Sequence, residues 1–453
     1  MNETRTLAEF VARLRYEDLP AAVVEQACRI IADTVGCALS AWSEDPEKAR
    51  IALQIARLYG KDGGASVIGA AGASSQPAFA ALANGILANA ADNDDTHKRA
   101  LLHTGSVVVP PALALAETLG LTGRELILAL VAGYEVAVRV GMAVMPTHYR
   151  FWHSTATNGT FGAAACAAKA LGLDAGGVQR ALGLAGTQAA GLNTFFESGD
   201  MTKSLHPGKA AFNGILSAQL AQMGATSPPT MLEHAKGYLA AYSLEPKPQM
   251  LTAGLGTIWE ILQNGFKYFP SILASHAPIQ ATLALVQKHA IDPAQIARIT
   301  NETYNTVKTH FSNKDVSTVM AARVSVPYCI AIAAVDGKLT QAQFAPARID
   351  DALVRAVLAN TEVIADAELN KLYPDKFPAR VTITLKDGKL FQETVLFPKG
   401  DPQDPLSAAE IEAKFRGNAD ALLGPARAGE LLQAIKALPD ARNVERLSAL
   451  LHA

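Results

Sequence analysis

At 453 residues the chain exceeds what one hydrophobic core usually supports, so two domains are expected. A hydrophobic share of 49% with 18% charged residues describes a globular protein rich in buried helix. A net charge of -2 with no basic block excludes the electrostatic footprint of a nucleic-acid binder, while acidic small molecules stay open because local positive charge can hide in a neutral total. Cys28, Cys37, Cys166 and Cys329 lie in apolar helical surroundings, form no C-x-x-C pair, and read as small core residues of a reducing compartment. The charged start Met1-Asn2-Glu3-Thr4-Arg5 has no apolar signal core, and no uninterrupted apolar stretch reaches the roughly 18 residues of a membrane span. No membrane is therefore expected, and the cytoplasm is the expected compartment.

Pro20 to Ala41 places Val23, Val24, Cys28, Ile31, Val35 and Ala38 at helical spacing, with proline in the first turn where its missing donor costs nothing. Pro46 to Tyr59 predicts a second helix. Ser75 and Pro77 open a third, whose apolar part Leu82 to Ala91 delivers the run Asp92-Asn93-Asp94-Asp95-Thr96-His97. On a helical continuation Asp92, Asp95 and Thr96 would share a face. Like charges at the end of an apolar helix oppose its dipole and lose solvation, so a cation supplied by the fold or a shifted protonation state must offset the cost. Both are more usual at active sites than in plain scaffold; an acidic loop capped by water is the bland alternative. No metal is expected: the run lacks the turn glycine and distal glutamate of a calcium loop, and the chain has no H-E-x-x-H.

After His103-Thr104-Gly105-Ser106, Pro110-Pro111 predict the start of an apolar helix through Leu119. Thr122-Gly123-Arg124-Glu125 has capping-box spacing ahead of Leu126 to Val140. Phe151-Trp152-His153-Ser154-Thr155 leads into helices over Ala156 to Leu173 and Val178 to Ala190. Their density of Gly, Ala and Thr predicts a tight bundle rather than a sheet with crossovers. The polar loop Phe195 to Lys203 runs into Ser204-Leu205-His206-Pro207-Gly208-Lys209, with Pro207 predicted to start a helix over Ala210 to Met223. Lys203 and Lys209 stand near that helix N-terminus, where free amides favour an anion, although a lone lysine there is commonly solvated surface.

Beyond about residue 266 the texture changes to α+β. Gly265-Phe266-Lys267-Tyr268-Phe269-Pro270 precedes a helix from His276 to His289, and Ile296 to Tyr304 has a strand pattern. Val319 to Ala334 and Asp351 to Asn360 read as helices. Val381 to Leu385, Lys386-Asp387-Gly388-Lys389 and Leu390 to Phe397 predict a β-hairpin with an Asp-Gly turn. Helix resumes at Ser407, an N-cap candidate, and continues to Leu451, which makes the α+β part an insertion.

Several of these stretches together resemble the MmgE/PrpD family, whose members include 2-methylcitrate dehydratase, cis-aconitate decarboxylase and iminodisuccinate epimerase. Asp92-Asn93-Asp94-Asp95-Thr96-His97 is similar to the family's Asp-x-Asp-Asp-Thr segment, and His103-Thr104-Gly105-Ser106 to the His-Pro-Gly step after it. Phe151-Trp152-His153-Ser154-Thr155 resembles its Gly-Phe/Trp-His-Pro-Thr motif, and Met201-Thr202-Lys203-Ser204-Leu205-His206-Pro207-Gly208 its most recognisable stretch. Phe266-Lys267-Tyr268-Phe269-Pro270, His276 and Ser325-Val326-Pro327-Tyr328 complete the set.

The resemblance implies a large discontinuous helical domain over residues 1–266 and 403–453 and a smaller α+β lid over 267–402. It also implies a cleft active site between them, a homodimer and no cofactor. The functional positions it carries over are Asp92, Thr96, His103, Lys203, Lys267 and Tyr328, with His153 and His276 beside them. Substrates of the family are small di- and tricarboxylates, and the shared step is loss or relocation of a proton alpha to a carboxylate.

That step builds charge on carboxylate oxygens, so Lys203 and Lys267 are expected as waiting cations. His103 is the expected proton shuttle, with Asp92 fixing its tautomer or acting as partner base. Thr96 and Tyr328 are expected donors, and His153 and His276 substrate contacts. His206 reads as a helix-start residue, and His97, His148, His234, His289, His310 and His452 as surface or capping groups. Asn93 replaces an aromatic or apolar residue, Thr104 a proline, and Ile272 a position where relatives often carry cysteine and the decarboxylase histidine. The last departure argues against cis-aconitate decarboxylation. A cofactor-independent hydro-lyase is the expectation; an epimerase or decarboxylase, or a non-catalytic carboxylate binder, is the alternative.

Overall fold

The computed structural model describes residues 2–60, 63–198 and 200–453. They form two compact units, one made of Met1–Thr194, Met201–Asn264 and Ser407–Ala453, the other of Phe195–Asp200 and Gly265–Leu406. In chain order the first unit contributes α1 (Glu3–Arg13), α2 (Ala21–Glu44), α3 (Pro46–Tyr59), α4 (Pro77–Asn89), α5 (Thr104–Leu119), α6 (Gly123–Val144), α7 (Ser154–Ala170), α8 (Ala175–Gly186) and α9 (Thr202–Gln222). The second contributes α10 (His276–His289), α11 (Val326–Asp336) and α12 (Ala352–Ala359), before the chain returns to the first unit with α13 (Ala408–Leu423) and α14 (Pro425–Lys436).

The helical unit is built around α6 and α7, on which α5, α8 and α9 pack, with α4 against α9 and α13 against α2. Small residues set these approaches. A Cβ on Gly85 of α4 would lie 2.7 Å from the Gly208 Cα of α9, and one on Gly208 would lie 2.2 Å from the Leu82 carbonyl oxygen. Helix α6 starts at the predicted capping box, where the Thr122 hydroxyl accepts from the Glu125 amide. It is 22 residues long and apolar enough by composition to cross a membrane, but 94% of an apolar 18-residue stretch within it is buried inside the protein. The two charges in its buried interior pair: Arg139 Nε donates to Glu135 at 3.2 Å, and the guanidinium also donates to the carbonyls of Ala253 and Ile258 at 2.6 and 2.8 Å.

The second unit holds a four-stranded sheet of β1 (Ile296–Thr303), β2 (Thr361–Ala365), β3 (Ala379–Leu385) and β4 (Leu390–Val395), in the order β2-β1-β3-β4. Strand β1 pairs parallel with β2 and antiparallel with β3, and β3 pairs antiparallel with β4. The Asp-Gly hairpin closes as the sequence predicts, with Gly388 at φ +87°.

Three expectations fail for physical reasons. Helix α5 begins at Thr104 and runs through Pro110 and Pro111, and α9 begins at Thr202 and runs through Pro207, so neither proline marks a start. All three prolines are buried, and packing outweighs the backbone bonds they forgo. The stretch Val319 to Ala334 is two helices, because Ser325 leaves helical geometry and caps α11 through the Tyr328 amide. Strand β2 escaped the sequence reading, since five residues with one buried face give no distinctive period. Cys37, Cys166 and Cys329 are buried and Cys28 partly so, all as free thiols.

Candidate active site

Helix α4 ends at Asn89, and Asp92 takes a left-handed conformation at φ +53°. Aspartate tolerates that conformation, and it stops the helix. The expected helical continuation with Asp92, Asp95 and Thr96 on one face therefore does not form. The carboxylates of the 92–95 loop separate to different partners instead.

Asp92 is 1% exposed, and its Oδ1 accepts from Lys203 Nζ at 2.7 Å. Lys203 lies in the first turn of α9, next to α4, where Ser204 Oγ donates to the Asn89 carbonyl at 3.3 Å. A second buried ammonium, Lys48, donates to the Ala90 carbonyl at 3.0 Å, which places positive charge at the negative end of α4. Asp94 accepts from Asn89 Nδ2 at 3.0 and 2.9 Å and from the Ser106 hydroxyl. Asp95 accepts from the Gly105 amide in the first turn of α5 at 3.0 and 3.2 Å, from Asn264 Nδ2 at 2.8 Å and from the Tyr134 hydroxyl. Gly105 is required here: a Cβ would stand 2.3 Å from Asp95 Oδ1.

Beneath the loop, Lys414 of α13 pairs with Asp33 at 2.5 Å and donates to the Asn93 carbonyl at 2.7 Å. Burial, with Asp33 and Asp94 nearby, pushes the Asp95 carboxyl up to about 8, against the pull of Tyr134 and Asn264. Both forms of compensation that the sequence calls for are thus present, fold-supplied cations and a raised carboxyl pKa.

The chain from His97 to Leu102 closes on itself, with His97 N donating to Leu102 O at 2.9 Å, and presents His103. His103 Nδ1 faces three oxygens: the Asp95 carbonyl at 3.1 Å, Thr96 Oγ1 at 3.2 Å and Asp94 Oδ1 at 3.3 Å. A carbonyl and a carboxylate can only accept, so Nδ1 carries the proton and a neutral His103 has its lone pair on Nε2. Nε2 lies 3.8 Å from Asp92 Oδ1. Asp94 rather than Asp92 is the carboxylate on the tautomer-fixing side. His153, at the N-terminus of α7, has its ring centroid 6.5 Å from that of His103. Burial, then His206, Lys203 and His103, hold the His153 pKa well below the usual imidazole range.

The structure therefore gathers Asp92, Thr96, His103, His153 and Lys203 in the helical unit. One atom each of Asp92, Asp94 and His103 lie within 4.8 Å of one another, a spacing a cation could share. The Lys203 ammonium already supplies positive charge to Asp92 there. The other sequence candidates belong to the second unit. Lys267 and His276 are 2% and 1% exposed, with His276 edge-on to Phe269 at 5.4 Å. Tyr328 is buried on α11 and gives its hydroxyl proton to the Gln343 carbonyl at 2.6 Å; burial raises its pKa. Ile272 donates its amide to the Arg323 carbonyl at 3.0 Å.

Asp33, Tyr134, Asn264 and Lys414 had no signal in the sequence, because each reaches the loop from a remote helix or turn. His97 and His148 are not surface groups. His97 is fully buried against Glu260 at 3.5 Å, and His148 bonds the Tyr242 carbonyl and Thr157 at 3.0 and 2.8 Å.

Comparison with known proteins matches residues 5–251 to the MmgE/PrpD N-terminal domain and residues 269–440 to the MmgE/PrpD C-terminal domain. The chain is 29% identical over 480 residues to a cis-aconitate decarboxylase-like protein of Aspergillus oryzae, covering 99% of this chain and 97% of that one. It is 29% identical over 474 residues to the cis-aconitate decarboxylase of Homo sapiens, covering 99% and 94%. With that of Aspergillus terreus it shares 28% over 485 residues, covering 99% and 96%. The motifs around Asp92, His103 and Lys203, and the two domain matches spanning nearly the whole length, agree: the chain belongs to the MmgE/PrpD family.

Proposed function

We propose that this chain is a cofactor-independent lyase that takes a small di- or tricarboxylate and moves the proton alpha to a carboxylate, eliminating or adding water. The observation that carries the reading is His103 held between acceptors on Nδ1 and the Asp92–Lys203 ion pair on the Nε2 side. In the eliminating direction the Nε2 lone pair takes the alpha proton. The electron pair left on carbon spreads onto the carboxylate, where the Lys203 ammonium is placed to stabilise it. It then forms the double bond as the beta hydroxyl leaves, which a proton converts to water. Asp92, 3.8 Å from Nε2, stabilises the imidazolium formed on the way. In the second unit, Lys267 is proposed as a further carboxylate-binding cation, on the family resemblance.

Ile272, where the decarboxylase carries histidine, supports water elimination. The names of the relatives support a second reading, decarboxylation: the carbon–carbon bond to a carboxylate breaks, carbon dioxide leaves, and His103 as imidazolium returns a proton to carbon. Purified protein supplied separately with citrate, 2-methylcitrate and cis-aconitate separates the two, by ultraviolet absorbance of a new alkene or by release of carbon dioxide. Lys203→Ala and His103→Ala are expected to lower the rate on the accepted substrate by roughly 10²- to 10⁴-fold. Normal turnover in both variants would sink the proposal.

A further inference from the structure

His206 is the one imidazole of the Ser204–Lys209 stretch that the mechanism above leaves without a task. It sits in the second turn of α9, three residues beyond Lys203, and is partly exposed. Its Nδ1 lies 3.0 Å from the Nδ1 of His153, with ring centroids 5.1 Å apart. Two ring nitrogens at that distance share one hydrogen, so one donates and the other offers a lone pair. The backbone favours this pairing: the His153 amide donates to the Gly191 carbonyl at 3.0 Å, and a Cβ on Gly191 would meet Ala156 Cβ at 2.3 Å and His206 Nε2 at 3.3 Å.

The two rings differ in what they can hold. His153 is 1% exposed and lies within electrostatic reach of Lys203 and His103, so it stays neutral with a single N–H. His206, nearer solvent, is the ring that can turn an Nδ1–H toward His153 while its other nitrogen faces the more open side. When His206 donates, His153 accepts at Nδ1 and its own hydrogen must be on Nε2. The opposite assignment leaves a lone pair on Nε2, which repels a carboxylate.

We propose that His206 is a positioning residue that holds His153 in the Nε2–H tautomer, making His153 an uncharged hydrogen-bond donor for a carboxylate of the substrate. This rests on the lyase reading for the identity of the ligand, but the pairing itself does not. An uncharged donor beside Lys203 binds an anion without adding a further positive charge to a site whose base must accept a proton.

Nuclear magnetic resonance of protein labelled at the histidine ring nitrogens reads the tautomer directly in the free enzyme, with His153 identified by the signals lost in His153→Gln. The expected result is an Nε2–H imidazole at His153 in the wild type, lost or mixed in His206→Leu and retained in His206→Asn, whose amide can donate from the same position. Once a substrate is found, His206→Leu should raise KM roughly tenfold, the loss of one hydrogen bond to a charged group, with little change in kcat. His206→Asn should restore it. An Nδ1–H form in the wild type, a His153 tautomer indifferent to residue 206, or an unchanged KM in folded His206→Leu overturns the proposal. An Nε2–H His153 in a protein that neither binds nor turns over any di- or tricarboxylate would instead count against the lyase reading and leave the pairing standing.

Discussion

A carboxylate inside a protein is tolerated only when donors or cations replace the water it gives up. Asp95 has hydrogen bonds from Gly105, Asn264 and Tyr134, yet burial beside Asp33 still raises its pKa from 3.8 to about 8. The folded protein then holds this proton more tightly than the unfolded chain. The contribution to stability is complete below about pH 4 and is lost as pH rises through about 8. His148 acts in the opposite sense: burial lowers its pKa from 6.5 to about 4, so its contribution is present above 6.5 and lost as pH falls through about 4. Asparagine at 95 keeps the shape and removes the titration. Urea midpoints should fall more steeply in the wild type than in Asp95→Asn as pH is raised from about 5 to about 8; parallel profiles would assign the dependence elsewhere. Asp94 has a different task, since its Oδ1 stands 3.3 Å from His103 Nδ1. Asp94→Asn should lower kcat by about 10²-fold, the low end of general acid–base effects, while the protein stays folded. An unaltered kcat would mean that the Asp95 carbonyl and Thr96 orient the ring without it.

At the scale of elements, the sequence was most legible where a local rule decides the structure. The Thr122–Glu125 box and the Ser407 N-cap start α6 and α13, and Asp387-Gly388 turns the hairpin, because each needs only neighbours within a few residues. It misled where packing overrules a local rule, as at Pro110, Pro111 and Pro207, and at Asp92, whose left-handed turn replaced the helix that the preceding apolar run suggested. The crossing of α4 and α9 decides where Lys203 meets Asp92, and it depends on Gly85 and Gly208 having no side chains. Gly208→Ala would force a methyl to within 2.2 Å of the Leu82 carbonyl, which is backbone and cannot step aside. The expected cost is about 1–3 kcal/mol of stability, together with weaker substrate binding as the helices separate. A melting temperature equal to wild type would show that the crossing has slack.

Across the whole molecule, the site residues named from the sequence, Asp92, Thr96, His103, His153 and Lys203, spread over three segments whose ends, Asp92 and Lys203, are 111 positions apart, and only the family's motifs tied them together. Lys414 had no motif. It lies on α13, 321 positions from Asn93, after the chain has built the second unit and come back. No period or spacing can announce a contact of that separation. Its position nevertheless determines how the acidic loop is tolerated: the ammonium pairs with Asp33 at 2.5 Å and anchors the Asn93 carbonyl at 2.7 Å. Burial works against this charge, and Asp33 more than restores it, leaving the Lys414 pKa raised. Removing one partner of such a pair strands the other, so Lys414→Met should cost about 3–5 kcal/mol and lower turnover as the 92–95 loop relaxes. Asp33→Asn removes the stranded charge, so the double variant Asp33→Asn/Lys414→Met should recover a large part of that stability. Its loss should be smaller than the sum of the two single losses, by an amount a double-mutant cycle measures. Strict additivity would mean that α13 fills space beneath the site without governing its charge, and the return of the chain would then matter for packing alone.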